Sequence, residues 1–181
     1  MKYPAYIIHH SSCVEREPLV KDLVEKTGGV VIPALFLQDR NAGCTKSHHA
    51  VAWIAKQQYP DSPYLVFEDD CVLEDNWEEA LEFFEKSHHF DDIVYLGYND
   101  QCEKTVFGTH ALLMTPKARD ILLEKQEMFM KIVEVKNAND WILSALCRHY
   151  NLKFSLPIPK NRWCHQKTGL RSTITGNIRS D

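Results

Sequence analysis

The sequence predicts an α/β fold with a mostly parallel central sheet, and three observations support this. Apolar runs with the length of strands alternate with segments of helical periodicity. The run Tyr64–Phe67 is continuously apolar, which is typical of a strand buried on both faces in a parallel sheet. The chain has 181 residues, of which 44% are hydrophobic and 25% charged, and this suits one domain with a substantial core. We therefore expect a single domain over residues 1–181.

The amino-terminal part of the chain is expected to form a β-α-β unit. Tyr3–Ile8 is the first strand candidate, a helix that ends at Gly28 follows it, and Val30–Leu37 is the second strand candidate. The polar stretch Asn41–His49 is expected to be a loop whose following amphipathic helix ends near Tyr59. A crossover helix between parallel strands explains this order.

Strands and helices continue to alternate in the rest of the chain. Further strands are expected at Tyr64–Phe67, Ile93–Leu96, His110–Met114 and Leu152–Leu156. One helix carries Trp77 and Phe84, and another begins at Thr115, which is a good N-cap before a proline. The last helix is expected to begin at Asn137 or Asn139.

Charge and apolar patterning limit the partners and the compartment. A net charge of −4 provides no polycationic surface for nucleic acid. The sequence holds no apolar run near the roughly 20 residues that span a bilayer, and Tyr6–Ile8 is too short for a signal peptide core. Its six cysteines include no Cys-x-x-Cys pair, so the spacing indicates neither a zinc site nor a redox motif, and Cys44, Cys71 and Cys147 are expected to be buried free thiols. We expect a cytoplasmic protein with no transmembrane segment.

Three carboxylates, Glu68, Asp69 and Asp70, directly follow the buried strand. Negative charges this close repel one another unless a cation lies among them. Ligands of open α/β sheets bind at the carboxyl ends of the strands, and Mg²⁺-type cations combine one or two carboxylates with substrate phosphates. The pattern predicts a metal-diphosphate site. The alternative is a solvated acidic turn that caps the following helix.

Two segments carry a resemblance to a known family. Gly43–His48, followed by an amphipathic helix and then Leu65–Asp70, resembles the central signature of the lipopolysaccharide-type glycosyltransferases, which include the collagen galactosyltransferases. Glu15-Arg16 after the first strand, Ile93–Gly97 and Gly108–Ala111 follow in the family's order. The resemblance extends from about residue 6 to residue 172 and is specific in the middle.

The chain departs from this family in two respects. His9–Ser12 stands where the family usually has Leu-Asp-Arg after its first strand, so a donor contact from this loop is not expected. The chain is also short for the family. An acceptor-binding subdomain is therefore expected to be missing or to reside on another polypeptide of a larger glycan-assembly system.

The resemblance implies a GT-A fold and an enzyme, a metal-dependent glycosyltransferase. It would move a sugar from a nucleotide-diphosphate sugar, with uridine as the expected base, to a glycan or glycoconjugate hydroxyl with inversion. The implied cofactor is Mn²⁺ or Mg²⁺. Glu68-Asp69-Asp70 would be the local form of the Asp-x-Asp motif that binds metal and donor, with Asp70 as metal ligand and Glu68 at the ribose or the metal. A cation there offsets the charge that develops on the leaving diphosphate.

Four other residues are candidates for the donor site. Gly43, Ser47 and His48 would border the donor, and Arg16 would contact a nucleotide phosphate. Each also has an ordinary structural interpretation. Ser47 fits a helix cap, His48 fits a buried side chain with satisfied hydrogen bonds, and Arg16 fits the surface of the first helix.

Two residues further along the chain are candidates for catalysis and metal binding. Inverting transfer needs a base that deprotonates the acceptor hydroxyl, and Asp140 is placed where the family has such an acid. An acid favoured by the helix dipole is the alternative explanation for Asp140. His165 is a candidate third metal ligand, and the alternative is an ordinary loop histidine.

Two other functions remain open at this point. A nucleotidyltransferase or phosphodiesterase could use the same acidic cluster with Mg²⁺, although Gly43–Ser47 is a weak match to a pyrophosphate loop. A non-catalytic module of the same fold could bind a glycan. The sequence contains no motif that specifies the sugar, the acceptor or the oligomeric state.

Overall fold

The structure is a computed structural model that describes residues 2–87, 91–102, 105–125, 128, 131, 139–160, 162–168 and 170. Its strands are β1 (Ala5–His9), β2 (Val30–Pro33), β3 (Tyr64–Glu68), β4 (Cys71–Leu73), β5 (Ile93–Tyr95), β6 (Asp100–Cys102), β7 (Thr105–Phe107), β8 (Ala111–Met114), β9 (Phe154–Ser155) and β10 (Cys164–Gln166). Its α-helices are α1 (Glu17–Thr27), α2 (Arg40–Gln58), α3 (Glu79–Ser87), α4 (Pro116–Glu124) and α5 (Asn139–His149), and a short 3-10 helix covers Val14–Arg16.

Six strands form the central sheet in the order β2-β1-β3-β8-β5-β9. Strand β1 pairs in parallel with β2 and β3, and β5 pairs in parallel with β9. Strand β8 is antiparallel to both of its neighbours, β3 and β5. The predicted α/β fold with a mostly parallel sheet is confirmed. The antiparallel direction of β8 brings its first residues to the carboxyl ends of β3 and β5.

The core lies on both faces of this sheet because side chains alternate along each strand. Tyr64 and Val66 of β3 face one cluster, to which helices α2, α4 and α5 contribute buried residues. Leu65 and Phe67 face the other, which helices α1 and α3 cover. Burial on both faces is what the apolar run predicts, and it fixes the point at which β3 emerges.

Helix α1 ends as predicted, whereas β2 is shorter than expected. Gly28 caps α1 in the left-handed region with φ of 60°. Strand β2 ends at Pro33 and not at Leu37, and it is the edge strand, with Val30 and Val31 exposed. Proline provides no N–H to continue a ladder, so the chain leaves the sheet there.

Helix α2 begins at Arg40, ten residues before the start at Ala50 that a loop at Asn41–His49 implies, so that expectation was wrong. Asp39 is the N-cap, and its side chain accepts hydrogen bonds from the backbone N–H groups of Asn41 and Ala42. Polar residues such as His48 are buried on the inner side of this first part of the helix. Because they face a polar site and not the apolar core, hydrophobic periodicity does not reveal them.

Gly43 allows the chain before α2 to lie against the helix. A Cβ at this position would lie 2.5 Å from the carbonyl oxygen of Leu35. Ser47, one turn further on, accepts a hydrogen bond from the Leu35 N–H at 2.8 Å and donates one to the Gly43 carbonyl at 2.8 Å. Gly43 and Ser47 therefore fasten residues 34–38 to α2.

The buried guanidinium of Arg119 closes the carboxyl end of α2. Its Nη1 donates to the Tyr59 carbonyl at 3.1 Å, its Nη2 to the Pro60 carbonyl at 2.6 Å and its Nε to Asp120 Oδ1 at 3.0 Å. The last carbonyls of a helix have no partner within it. Arg119, on α4, supplies that partner and ties the two helices together.

The described part of the chain also includes two short ribbons and the last helix. Strand β4 pairs antiparallel with β10, and β6 pairs antiparallel with β7. Helix α5 has Asn139 as its first residue, and residues 132–138, Asn137 among them, lie outside the described residues, so its N-cap stays a prediction. Among the helices described, none is both long and apolar enough to span a membrane.

Arg119→Met is expected to lower the free energy of unfolding by about 1–3 kcal/mol, because the Tyr59 and Pro60 carbonyls that follow α2 lose the Arg119 donors while the apolar packing is kept. Urea denaturation measures this. Lys21→Met on the exposed side of α1 is the control and is expected to stay within about 0.5 kcal/mol of wild type. Equal stability of Arg119→Met and wild type would refute the capping role.

Gly43→Ala is expected to destabilise the protein by about 1–3 kcal/mol, because the new methyl group displaces the Leu35 backbone. This sign opposes intrinsic helix propensity, which favours alanine over glycine by about 1 kcal/mol. Lys46→Ala in the same turn is the control. A more stable Gly43→Ala variant, measured by thermal and urea unfolding, would contradict the close approach described above.

Candidate active site

The acidic segment Glu68–Asp70 lies at the carboxyl end of β3, between the end of β1 and the beginning of β8. The Glu68 N–H donates to the His110 carbonyl at 2.8 Å, which extends the β3–β8 pairing by one residue. Successive side chains point in opposite directions here as they do along β3. Glu68 therefore faces α2, whereas Asp69 faces the segment before α1.

Arg16 compensates the charge of the two aspartates. Its guanidinium is 3% exposed; Nη1 donates to Asp69 Oδ1 and lies 3.3 Å from Asp70 Oδ2. His9 Nδ1 lies 2.9 Å from Asp69 Oδ2, and the His10 N–H donates to the same oxygen at 3.3 Å. The turn is thus held by a buried ion pair and is not a solvated acidic cap. Arg16 is therefore not a surface residue of the first helix, and its guanidinium contacts the carboxylates of Asp69 and Asp70.

Asp70 also joins the turn to β10. Gln166 Nε2 donates to Asp70 Oδ2 at 3.0 Å, and Asn99 Nδ2 donates to Gln166 Oε1 at 2.6 Å. The Lys167 N–H donates to the Asp70 carbonyl at 2.7 Å. The carboxyl-terminal strand therefore returns to the acidic segment and contributes an amide, Gln166, to it.

Glu68 is the centre of a second group of polar side chains. His48 Nε2 lies 3.1 Å from Glu68 Oε1, Thr109 Oγ1 donates to this oxygen at 3.1 Å, and Cys44 Sγ lies 4.0 Å from it. Burial alone would raise the pKa of Glu68. The hydrogen bond and charge of His48, with His110 and Thr109, outweigh burial and lower the pKa. Glu68 is therefore ionised at neutral pH.

Asp140, the second residue of α5, lies in the same neighbourhood. Burial and the negative charge of Glu68 raise the pKa of Asp140 to about 6, although the Gly108 backbone and the Thr109 side chain act against this rise. At neutral pH the carboxylate is largely ionised, yet it is more basic than an ordinary aspartate. Such a group suits the acceptance of a proton.

Three of the remaining sequence-based candidates are placed differently. Gly43 and Ser47 have the structural contacts described above, which face residues 34–38. His165 Nδ1 lies 2.6 Å from Glu74 Oε1, in a half-exposed pair. Because side chains alternate along β10, His165 lies on the opposite side of the strand from Gln166, which contacts Asp70. The structure does not bring His165 into the acidic group.

Sequence reasoning missed four contributors to the site, namely Cys44, Asn99, Thr109 and the amide of Gln166. Cys44 was taken as an ordinary buried thiol, and its spacing of four residues from His48 would have shown a shared helix face had α2 been extended to Asp39. The Asn99–Gln166 contact joins residues 67 positions apart, and no local pattern predicts it. Thr109 lies within Gly108–Ala111, which belongs to the family resemblance, but no role was assigned to its side chain.

The charge around Cys44 bears on whether a cation fits here. Burial raises the pKa of this thiol well above its ordinary value, and so do four carboxylates, those of Glu68, Asp140, Asp70 and Asp69. Arg16 offsets one of these four negative charges, and His48 and His110 face Glu68 and lower its pKa. Carboxylates grouped in this way fit a divalent cation. Among the described residues, Cys44, His48 and Glu68 form a group whose possible ligand atoms all lie within 4.8 Å of one another.

No protein-family model and no curated protein sequence matches this chain. Among solved structures it is similar to a glycosyltransferase involved in the glycosylation of the major capsid of PBCV-1, with a TM-score of 0.56 and 10% identity over 87% of this chain and 81% of that chain. It is also similar to the glycosyltransferase GlyE of Streptococcus pneumoniae TIGR4, with a TM-score of 0.53 and 13% identity over 86% of this chain and 45% of that chain. Identities this low establish the fold alone. The chain therefore has the GT-A fold that the resemblance implied, shared with these glycosyltransferases.

Proposed function

We propose that the protein is a metal-dependent glycosyltransferase that uses a nucleotide-diphosphate sugar, with UDP as the expected carrier. The observation that carries this proposal is the position of Glu68, Asp70 and Asp140 together at the carboxyl end of the central strand of a GT-A fold. That edge is where open α/β sheets bind their ligands. The two similar structures are glycosyltransferases, and the sequence resembles the lipopolysaccharide-type family.

Glu68 and Asp70 would hold the Mn²⁺ or Mg²⁺ ion together with the donor diphosphate. A cation there offsets the charge of the leaving nucleoside diphosphate. Arg16 supports this role indirectly, because it neutralises Asp69 and fixes the Asp70 carboxylate from the buried side. Gln166 fixes the same carboxylate from β10. The acidic segment is thus held in one arrangement before any ligand arrives.

Asp140 would act as the general base on the acceptor hydroxyl, which implies inversion at the anomeric carbon. Its pKa of about 6 lies close to the pH at which a cytoplasmic enzyme works, and general bases are most effective in that range. Asp140 lies at the start of α5, beside Thr109 and close to Glu68, and it takes no direct part in the Arg16 ion pair. The acceptor would be a hydroxyl of a glycan or glycoconjugate, within a larger glycan-assembly system.

The deciding experiment incubates the full chain with a panel of UDP- and GDP-sugars and Mn²⁺ and follows slow hydrolysis of the donor. Release of nucleoside diphosphate supports a glycosyltransferase. Release of nucleoside monophosphate would instead indicate a nucleotidyltransferase or phosphodiesterase. Binding of a glycan without any donor cleavage would indicate a non-catalytic module.

Asp70→Asn is expected to weaken Mn²⁺-dependent binding of UDP or GDP by at least about tenfold, because a charged ligand is lost while the amide oxygen still accepts from Gln166. Isothermal titration calorimetry measures the affinity with and without Mn²⁺. Asp61→Asn, on the exposed turn before β3, is the control. Unchanged affinity in Asp70→Asn would remove Asp70 from the metal site.

Asp140→Asn keeps the size of the side chain but cannot accept a proton. Transfer is expected to fall by about 10²–10⁴-fold, with little change in stability or donor affinity. Asp22→Asn on the surface of α1 is the matched control. Near wild-type transfer at saturating acceptor would exclude Asp140 as the base, and a product that retains the donor's anomeric configuration by NMR would exclude the inverting mechanism.

A further inference from the structure

Cys44 and His48 project from the same face of α2 towards the end of β3. They are four residues apart in a helix, which places them one turn from each other on one side. Glu68 meets them from the sheet. A sulfur, an imidazole nitrogen and a carboxylate oxygen from these three residues lie within 4.8 Å of one another.

We propose that Cys44, His48 and Glu68 form a site for a borderline divalent cation, of which Zn²⁺ is the natural occupant by chemistry and Co²⁺ a spectroscopic substitute. This site is additional to the Mn²⁺ or Mg²⁺ ion of the proposed function. The Glu68 carboxylate, with its two oxygens, would be shared by the two ions, and the Cys44–His48–Glu68 site forms without a nucleotide.

Two of the three distances between the donor atoms can be compared with tetrahedral coordination, and all three atoms lie within 4.8 Å of one another. Bond lengths of about 2.3 Å to sulfur, about 2.0 Å to nitrogen and about 2.1 Å to oxygen place sulfur and oxygen about 3.6 Å apart, and nitrogen and oxygen about 3.4 Å apart. The structure has Cys44 Sγ at 4.0 Å and His48 Nε2 at 3.1 Å from Glu68 Oε1. Both distances differ from the tetrahedral values by less than about 0.5 Å, which a small rotation of the side chains can correct.

The donor types decide which cation fits. A thiolate and an imidazole favour Zn²⁺, whereas Mn²⁺ and Mg²⁺ favour oxygen ligands, and affinities at a given site rise from Mn²⁺ to Co²⁺ and remain high at Zn²⁺. Three protein ligands leave a fourth position open, as in catalytic zinc sites. Cys44 is half-buried and the Glu68 side chain is 20% exposed, so a water molecule can reach that position.

The surroundings support a bound cation. Thr109 Oγ1 donates to the Glu68 oxygen at 3.1 Å and orients the carboxylate, as outer-shell groups commonly do. The carboxylates of Asp69, Asp70 and Asp140 create a negative potential at Cys44. This potential attracts a divalent ion, and binding of the ion to sulfur releases the thiol proton to solvent.

Titration of metal-free full-length protein with Co²⁺, without nucleotide, tests the proposal. We expect one equivalent to bind with a thiolate-to-cobalt charge-transfer absorption in the near ultraviolet. Zn²⁺ should displace it, and an equal concentration of Mn²⁺ should not. A wild-type complex without the thiolate band, or one in which Mn²⁺ displaces Co²⁺ as readily as Zn²⁺ does, would overturn the proposal.

Variants identify the ligands. Cys44→Ser should abolish the thiolate band. His48→Gln should weaken Co²⁺ binding by at least about tenfold, because even the loss of a group that only orients a metal ligand costs about 10–100-fold in affinity. Cys147→Ser and His149→Gln on α5 are the matched controls and should keep the wild-type spectrum. A Cys44→Ser protein with the wild-type spectrum would overturn the assignment.

Two further measurements separate this inference from folding defects and from the proposed function. If Cys44→Ser does not fold, wild-type protein is treated with iodoacetamide at a pH and for a time that label Cys44 in the metal-free protein. Mass spectrometry should then find Cys44 protected by Zn²⁺, and equal labelling with and without Zn²⁺ would overturn the site. Asp70→Asn should keep the cobalt band, and loss of the band would place the cation at Asp70 instead. No donor sugar takes part, so a failure of glycosyl transfer leaves these results unaffected.

Discussion

A single buried guanidinium makes the acidic segment of this protein possible. Arg16 lies between Asp69 and Asp70, in a position closed to solvent, where two carboxylates without a partner would be strongly destabilising. Burial of the three charges is itself costly, and the hydrogen bonds from His10 and Gln166 reduce that cost. The end of β1, the turn after β3 and strand β10 therefore meet at one ion pair. Everything proposed for the site presupposes this arrangement.

Three consecutive acids consequently have three different environments. Asp69 is committed to Arg16 and to the end of β1, so its role is to hold the turn. Asp70 is shared between Arg16 and Gln166. Glu68 points to the other side of the sheet, towards α2, and meets a histidine and a thiol there. Because side chains alternate along β3, Asp69 serves the structure of the turn, whereas Glu68 lies where it can bind a ligand.

Local patterns predicted the parts of the fold that depend on neighbouring residues in sequence. The apolar run of β3, the Gly28 cap and the Thr115 N-cap are of this kind, and the Thr115 side chain does accept a hydrogen bond from the Ala118 N–H. The acids that end β3 were located for the same reason. The alternation of predicted strands and helices was sufficient for the fold class, because it leaves few topologies open.

Contacts between residues that are distant in sequence could not be predicted from local patterns. The burial of Arg16 depends on Asp69, 53 positions away, and an arginine next to a helix start looks like a surface residue until that contact is known. The first turns of α2 carry polar residues on their inner side, so periodicity concealed them. The pairing of β4 with β10 likewise has no local signal in the sequence. The contact of Gln166 with Asp70 and the contact of His165 with Glu74 depend on this pairing, so the sequence did not predict them.

The antiparallel direction of β8 has a consequence for how this fold can diversify. The connection from β5 to β8 leaves the sheet after Leu96 and returns at His110, and both points lie on the edge that holds the acids. It is fastened in between by a hydrogen bond from the Val106 N–H to Ser144 of α5 at 3.1 Å. Insertions or deletions in such an excursion cost little closure entropy and leave the strand register intact. The rim of the site can therefore change in length and composition over evolutionary time while the sheet that presents the carboxylates stays the same.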